Sequence, residues 1–188
     1  MFSASDLRKG LKVLVEGQPY TITEFEFCKP GKGTALYRCK LKHLLNGSTL
    51  DRTYRPNDKL DRPDLEVKEV TYVYAEGTNF VFSDNENYEE IRVNGDVLGN
   101  SRYFLIEQAE CSILFFNGNP VEVTLPIFVE KQIVQTDAAV RGDTATNVTK
   151  DAKLDNGAVI QVPLFVNEGD WVKIDTRTGS YSERVKKG

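Results

Sequence analysis

The chain has 188 residues, 40% hydrophobic and 28% charged, with a net charge of −4; this is the composition of an ordinary soluble globular protein, and an acidic total is a poor basis for binding bare nucleic acid, whose nonspecific affinity comes from neutralised phosphates. No apolar run is long enough to span a bilayer, residues 1–10 lack the regions of a signal peptide, and the expected address is the cytosol. Three cysteines, Cys28, Cys39 and Cys111, without CxxC spacing, suggest neither a disulfide framework nor a zinc ribbon.

The first strand-like run, residues 11–15, stops at Glu16-Gly17. Residues 25–28 and 34–41 then carry β-branched and aromatic residues near period two, and between them stands Lys29-Pro30-Gly31-Lys32-Gly33. Pro30 presets φ near −65° for the first central position of a turn, and the glycines beside Lys32 are free to take positive φ. The segment reads as a hairpin with Lys32 at its tip, and arms of about five residues would hold the ammonium roughly 17 Å from a small barrel. Taken alone, the turn leaves open whether the lysine is displayed or incidental. From residue 28 to 50 there is no Asp or Glu, while Lys29, Lys32, Arg38, Lys40, Lys42 and His43 all fall there, a local basic surface on an acidic chain.

Downstream, Asn46-Gly47, Glu76-Gly77, Asn94-Gly95, Asn117-Gly118, Glu168-Gly169 and Thr178-Gly179 punctuate short runs at 70–74, 80–82, 113–116, 121–125, 159–162 and 171–174. Short strands at such spacing are the mark of small barrels or sandwiches. Only residues 102–111 read as helical, on the spacing of Phe104, Leu105, Gln108 and Ala109. Breaks at Arg62-Pro63-Asp64 and at Pro126 delimit three modules, 1–64, 65–127 and 128–188, with net charges of +4, −8 and 0. Modules of this size bury only about 60% of their unfolded surface, so packing between neighbours is expected.

Candidate catalytic groups are few. His43 is the single histidine, read as a surface or packing residue. Lys32 as a Schiff-base nucleophile lacks the desolvation or cationic neighbour that lowers a lysine pKa. Asp84, Glu86, Glu89 and Glu90 lack the spacing of a calcium loop and read as a solvated acidic face. Gly31-Lys32-Gly33 lacks the GxxxxGK[ST] pattern of a phosphate loop. No catalytic residue, metal or cofactor is expected.

Several segments together resemble the translation elongation factor P family along essentially the whole chain: DLRKGLKVLV at 6–15, KPGKGTALYRCKLKHLL at 29–45, QAEC at 108–111, GDTAT at 142–146, GAVIQVPLF at 157–165 and DTRTGSYSER at 175–184. The resemblance implies an all-β fold of three small β-barrel domains in an elongated, tRNA-like L shape: a KOW/SH3-like domain (1–64) carrying the lysine hairpin, an acidic OB-fold (65–127) and a C-terminal OB-fold (128–188). It implies a monomer that binds the 70S ribosome between the peptidyl and exit sites, contacts peptidyl-tRNA and ribosomal protein L1, and promotes peptide-bond formation at stalled proline runs. Lys32, presented by Pro30, Gly31 and Gly33, would reach the tRNA acceptor end. It would be the target of covalent modification of the β-lysyl type by an enzyme resembling lysyl-tRNA synthetase. Lys29, Arg38, Lys40 and Lys42 would contact the tRNA backbone, Tyr181 and Arg184 tRNA and the small subunit, and Gly142, Asp143, Thr144, Ala145 and Thr146 the exit-site codon. The chain departs from the family at Asp151, at Ser180 and at Cys28, which exposure would make oxidisable. A general RNA-binding OB-fold protein, with the basic hairpin as an electrostatic anchor, is the alternative.

Overall fold

A computed structural model describes residues 1–138 and 148–187. Sixteen strands and almost no helix account for the regular structure among them. In chain order the strands are β1 (Phe2–Ser3), β2 (Lys12–Val15), β3 (Gln18–Cys28), β4 (Leu36–His43), β5 (Thr49–Tyr54), β6 (Lys59–Leu60), β7 (Leu65–Glu76) and β8 (Asn79–Asp84). They continue with β9 (Glu90–Asn94), β10 (Glu110–Phe116), β11 (Asn119–Thr124), β12 (Phe128–Thr136), β13 (Thr149–Leu154), β14 (Val159–Pro163), β15 (Trp171–Asp175) and β16 (Ser180–Val185).

A four-stranded sheet in the order β2-β3-β4-β5, with the small pair β1-β6, closes over Ala4, Leu7, Val13, Tyr20, Ile22, Cys39, Leu41 and Leu60. Two five-stranded sheets follow, β11-β10-β7-β8-β9 and β14-β13-β12-β15-β16. Numbered from its own first strand, each has the order 3-2-1-4-5, and in each the long first strand is bulged, at 72–74 in β7 and at 133–135 in β12. Such bulges bend and twist a strand, which is how a small sheet curls into a barrel. The same architecture is thus built twice. By packing, the chain separates into two compact units, residues 1–67 with 114–122 and residues 68–113 with 123–188. Within the second, Asn156 Nδ2 donates to the Tyr103 carbonyl at 2.6 Å, and Phe104 lies so close over Gly179 that a Cβ there would meet its ring at 3.2 Å.

The tight hairpins follow their turn residues. Glu16-Gly17 and Asn117-Gly118 have positive φ at both central positions (51° and 76°, 49° and 80°), the conformation whose twist suits two-residue hairpins. Asn94-Gly95 differs from the expected turn. Asn94 caps a short helix, α1 (Gly95–Leu98), its side chain accepting from the Asp96 N–H at 2.9 Å, because the oxygen that closes an Asx turn equally satisfies the first N–H groups of a helix. The helix expected over 102–111 is also displaced. A 3₁₀ turn spans Gly99–Phe104, Leu105 is already extended, Gln108 has φ of +69° and β10 begins at Glu110, so the apolar spacing marks buried loop and strand positions.

Candidate functional site at the β3–β4 hairpin

Eight inter-strand pairs join β3 to β4, from Tyr20↔His43 to Cys28↔Leu36, and a seven-residue loop, 29–35, closes the end. The register slips between Ile22 and Glu24, and the bulged Thr23 donates its hydroxyl to the Lys40 carbonyl at 3.1 Å. Beyond the last core residue, Cys39, only three residues of each strand project, about 10 Å at the usual rise, a shorter arm than the sequence suggests. The added strand β5 stays paired with β4 as far as Tyr37↔Tyr54, so most of the arm is three strands wide.

At the tip, Gly33 N–H donates to the Pro30 carbonyl at 3.2 Å. Gly31 and Lys32 are therefore the central pair and Pro30 is the first residue of the turn, not its first central one. Neither Gly31 nor Gly33 takes positive φ. A seven-residue loop has length enough to reverse the chain without the left-handed pair that two-residue loops need. Gly33 is instead a matter of space, since a Cβ there would sit 3.3 Å from the Pro30 side chain. Lys32 is exposed and, among the described residues, makes no ion pair or hydrogen bond.

The alternation of β4 sorts the site. Arg38, Lys40 and Lys42 are exposed on one face; Cys39, Leu41 and His43 are buried on the other. The sheet then corrects the linear charge pattern. Lys40 stands between Glu24 of β3 and Asp51 of β5, with Nζ 3.7 Å from Glu24 Oε2, and Arg38 stands opposite Glu26. Lys42 faces Thr21 and Thr49. The acid-free stretch of sequence is thus not an acid-free surface: of its cations, only Lys29, Lys32 and Lys42 lack a carboxylate partner or cross-strand neighbour among the described residues.

His43 is buried. Its Nδ1 accepts from the backbone N–H groups of Leu45 (3.1 Å) and Asn46 (3.2 Å), so the proton sits on Nε2, which donates to Gln18 Oε1 at 3.1 Å, and the ring meets Tyr20 edge-on at 4.9 Å. It is a cap on the turn that begins the return to β5. Cys28 is half-buried, and its Sγ donates to Glu26 Oε1 at 3.4 Å. Partial burial and the Glu26 carboxylate push its thiol above the usual value, which disfavours the thiolate and corrects the expectation of easy oxidation. Asp84, expected on a solvated face, is 4% exposed; its Oδ1 accepts from the Glu86 N–H at 2.8 Å and its Oδ2 lies 3.9 Å from Lys68 Nζ.

A feature the charges conceal is an aromatic row on the inner face of the arm. Phe27, Tyr37 and Tyr54 are direct cross-strand neighbours, with Phe27 and Tyr37 centroids 5.1 Å apart and Phe25 also 6.3 Å from Tyr37. The period-two spacing of Phe25 and Phe27 was the sequence signal.

The second predicted region lies on the β15–β16 hairpin. Tyr181 and Arg184 sit opposite the buried Ile174 and Val172. The Arg184 guanidinium lies over the Phe165 ring (5.3 Å), with Nη1 3.8 Å from Asp170 Oδ2. Burial pushes the Tyr181 hydroxyl up, offset by the Arg184 charge and backbone N–H, so the two residues are brought together. Gly142, Asp143, Thr144, Ala145 and Thr146 lie outside the described residues.

One cavity, about 740 Å³, is an open recess between Asn100, Ser101, Tyr103 and Phe104 on one side and residues 156–160 and 176–179 on the other. Its one charged lining residue, Arg177, is held by Asp175 at 2.8 Å. No group of three or more His, Cys, Asp or Glu suited to a metal occurs among the described residues, and none of the helices is long and apolar enough to cross a membrane.

Such a molecule is a set of small β-barrels that presents an unpaired lysine on a stiffened arm. Comparison with known proteins makes this specific. The elongation factor P KOW-like domain matches residues 3–60, the elongation factor P OB domain residues 65–123 and the elongation factor P C-terminal domain residues 129–184. Elongation factor P of Desulfotalea psychrophila is 47% identical over 186 residues, 99% of this chain and 100% of its own. That of Desulforapulum autotrophicum is 48% identical over 185 residues, 98% of this chain and 99% of its own. Among solved structures, the eukaryotic translation initiation factor 5A from Methanococcus jannaschii superposes with a TM-score of 0.55 at 18% identity, over 66% of this chain and 91% of that one, a likeness of fold. The chain belongs to the elongation factor P family, whose members are translation factors and not enzymes.

Proposed function

We propose that the protein acts in the cytoplasm, binds the 70S ribosome between the peptidyl and exit sites, and promotes peptide-bond formation where proline runs stall it, with Lys32 as the working group. The observation that carries this is the tip itself: an exposed lysine without an ion pair among the described residues, at the end of an arm on which Arg38 and Lys40, nearer the barrel, have carboxylate neighbours. Proline is a restricted reactant, and holding the reacting ends in place lowers a barrier through orientation entropy. A free ammonium among tRNA phosphates can hold the acceptor end of peptidyl-tRNA without reading any base.

In this reading the modules are 1–64, 65–127 and 128–188, a division supported by the three family matches. Lys29 and Lys42 provide the stronger backbone contacts and Arg38 and Lys40 the weaker. Tyr181 and Arg184 touch tRNA and the small subunit, and the segment Gly142 to Thr146 approaches the exit-site codon. The acidic middle module faces a basic partner such as ribosomal protein L1. Lys32, exposed at the tip, is accessible to an enzyme resembling lysyl-tRNA synthetase that adds a β-lysyl group, and intact mass with peptide mapping across Lys32 reads this out.

Lys32→Ala is expected to abolish the gain in rate on a proline-run template in a reconstituted translation reaction while leaving the thermal midpoint within about 2 °C, since exposed substitutions cost little. Retained gain overturns the reading. A general RNA-binding role has less support, because the cross-strand carboxylates weaken the basic surface that would anchor it.

A further inference from the structure

Phe27 is 52% exposed, yet its ring is backed by Tyr37 across the sheet. Its neighbour two residues inward, Phe25, packs against the barrel core, as do Tyr37 and Tyr54 across the sheet. Phe27 lies beyond that core, at the end of a row of rings that continues the core face out along the arm. The contact with Tyr37, at 5.1 Å and an interplanar angle of 58°, fixes the ring from one side. A single exposed apolar residue is ordinary on a protein surface. This one has particular company. Lys29 stands two residues on, and Lys32 stands on the turn; both are exposed and neither is in an ion pair among the described residues. The nearest carboxylate in sequence, Glu26, alternates to the opposite face, where it accepts from Cys28 and stands beside Arg38.

A pre-positioned aromatic ring flanked by free cations, with the acid turned away, matches one chemistry: the π-face of a nucleobase together with the phosphates on either side of it. Bases within a duplex keep their faces in the stack, so only an unpaired nucleotide can use such a step. We propose that Phe27 is a stacking platform for an unpaired nucleobase at the single-stranded 3′ end of an RNA, whose phosphates lie against Lys29 and Lys32. This rests on the reading of the hairpin as the ribosome-entering arm, and it assigns the arm a second contact of a different kind: Lys32 supplies charge and reach, and Phe27 holds one base in register.

The test is kinetic and uses the full chain in the reconstituted proline-run reaction. Phe27→Leu keeps an apolar side chain of similar size but removes the ring, and Phe27→Trp keeps a ring. Stacking on an aromatic side chain is worth about 5- to 150-fold in affinity. Phe27→Leu is therefore expected to raise the half-saturating factor concentration within that range, with the maximal rate changed less and the thermal midpoint within about 2 °C, and Phe27→Trp to restore it. A benzoylphenylalanine at position 27 is expected to crosslink, on irradiation of the ribosome complex, to an unpaired 3′-terminal tRNA nucleotide. Wild-type behaviour of Phe27→Leu beside an inactive Lys32→Ala overturns this inference and leaves the proposed function standing. Capture of a protein or of a base-paired nucleotide also overturns it. Full activity of Lys32→Ala, or a wild-type chain without effect on the reaction, overturns both.

Discussion

At its root, the β3–β4 hairpin is fastened from every side: Ile22 and Leu41 pair in the core, His43 caps the following turn with two backbone hydrogen bonds, and Thr23 ties its bulge to the neighbouring strand. At its tip the same two strands end in a seven-residue loop closed by a single backbone bond, Gly33 to Pro30, with the exposed Lys29 just before it and Lys32 within it. The contrast separates aiming from contact. The root, with β5 alongside, sets the direction of the arm, while the tip keeps a side chain whose rotamer freedom and hydration are spent only when a partner arrives.

Substitutions at the two ends should therefore divide cleanly. The largest effect is expected from Leu41→Ala, which empties a fully buried position and should cost about 2–5 kcal/mol in urea unfolding, whereas Lys32→Ala should cost less than about 0.5. Comparable losses at the two would erase the distinction. His43→Ala comes next. It leaves the N–H groups of Leu45 and Asn46 without their acceptor and should cost about 1–3 kcal/mol, read from the same denaturation curves. The smallest effect is chemical. Burial pushes the Cys39 thiol up and that of Cys111 up to about 11, and Cys28 is raised as well. At pH 7 iodoacetamide should modify Cys28 alone in the folded protein, and more slowly than free cysteine. Labelling of Cys39 before unfolding would show that the root opens.

Much of this was legible in advance because a strand needs only period two and a tight hairpin only a pair of residues tolerant of positive φ. The runs at 113–116 and 171–174 and the turns at Glu16-Gly17 and Asn117-Gly118 meet those conditions locally. Asn94-Gly95 does not, since asparagine serves a turn and a helix cap with the same oxygen, and the helical spacing of 102–111 could not announce that Gln108 adopts a left-handed backbone. The site was legible in its tip and not in its flanks. Lys32 stands out by its glycines, but the carboxylates beside Arg38 and Lys40 lie 11 to 16 positions away in sequence and meet them only through the register of three strands. Phe27 was visible as an alternating aromatic; that the barrel ends before it was not.

The neutralisation of those flanking cations sets a thermodynamic signature. A side chain already paired with a carboxylate releases few ions when it meets a phosphate, so the logarithm of the affinity should fall with the logarithm of the salt concentration along a slope governed by Lys29, Lys32 and Lys42 alone, at about 0.7 per phosphate for a single strand. The hairpin would thus tolerate the ionic strength of the cell with about three-fifths of the sensitivity that its five lysines and arginines imply.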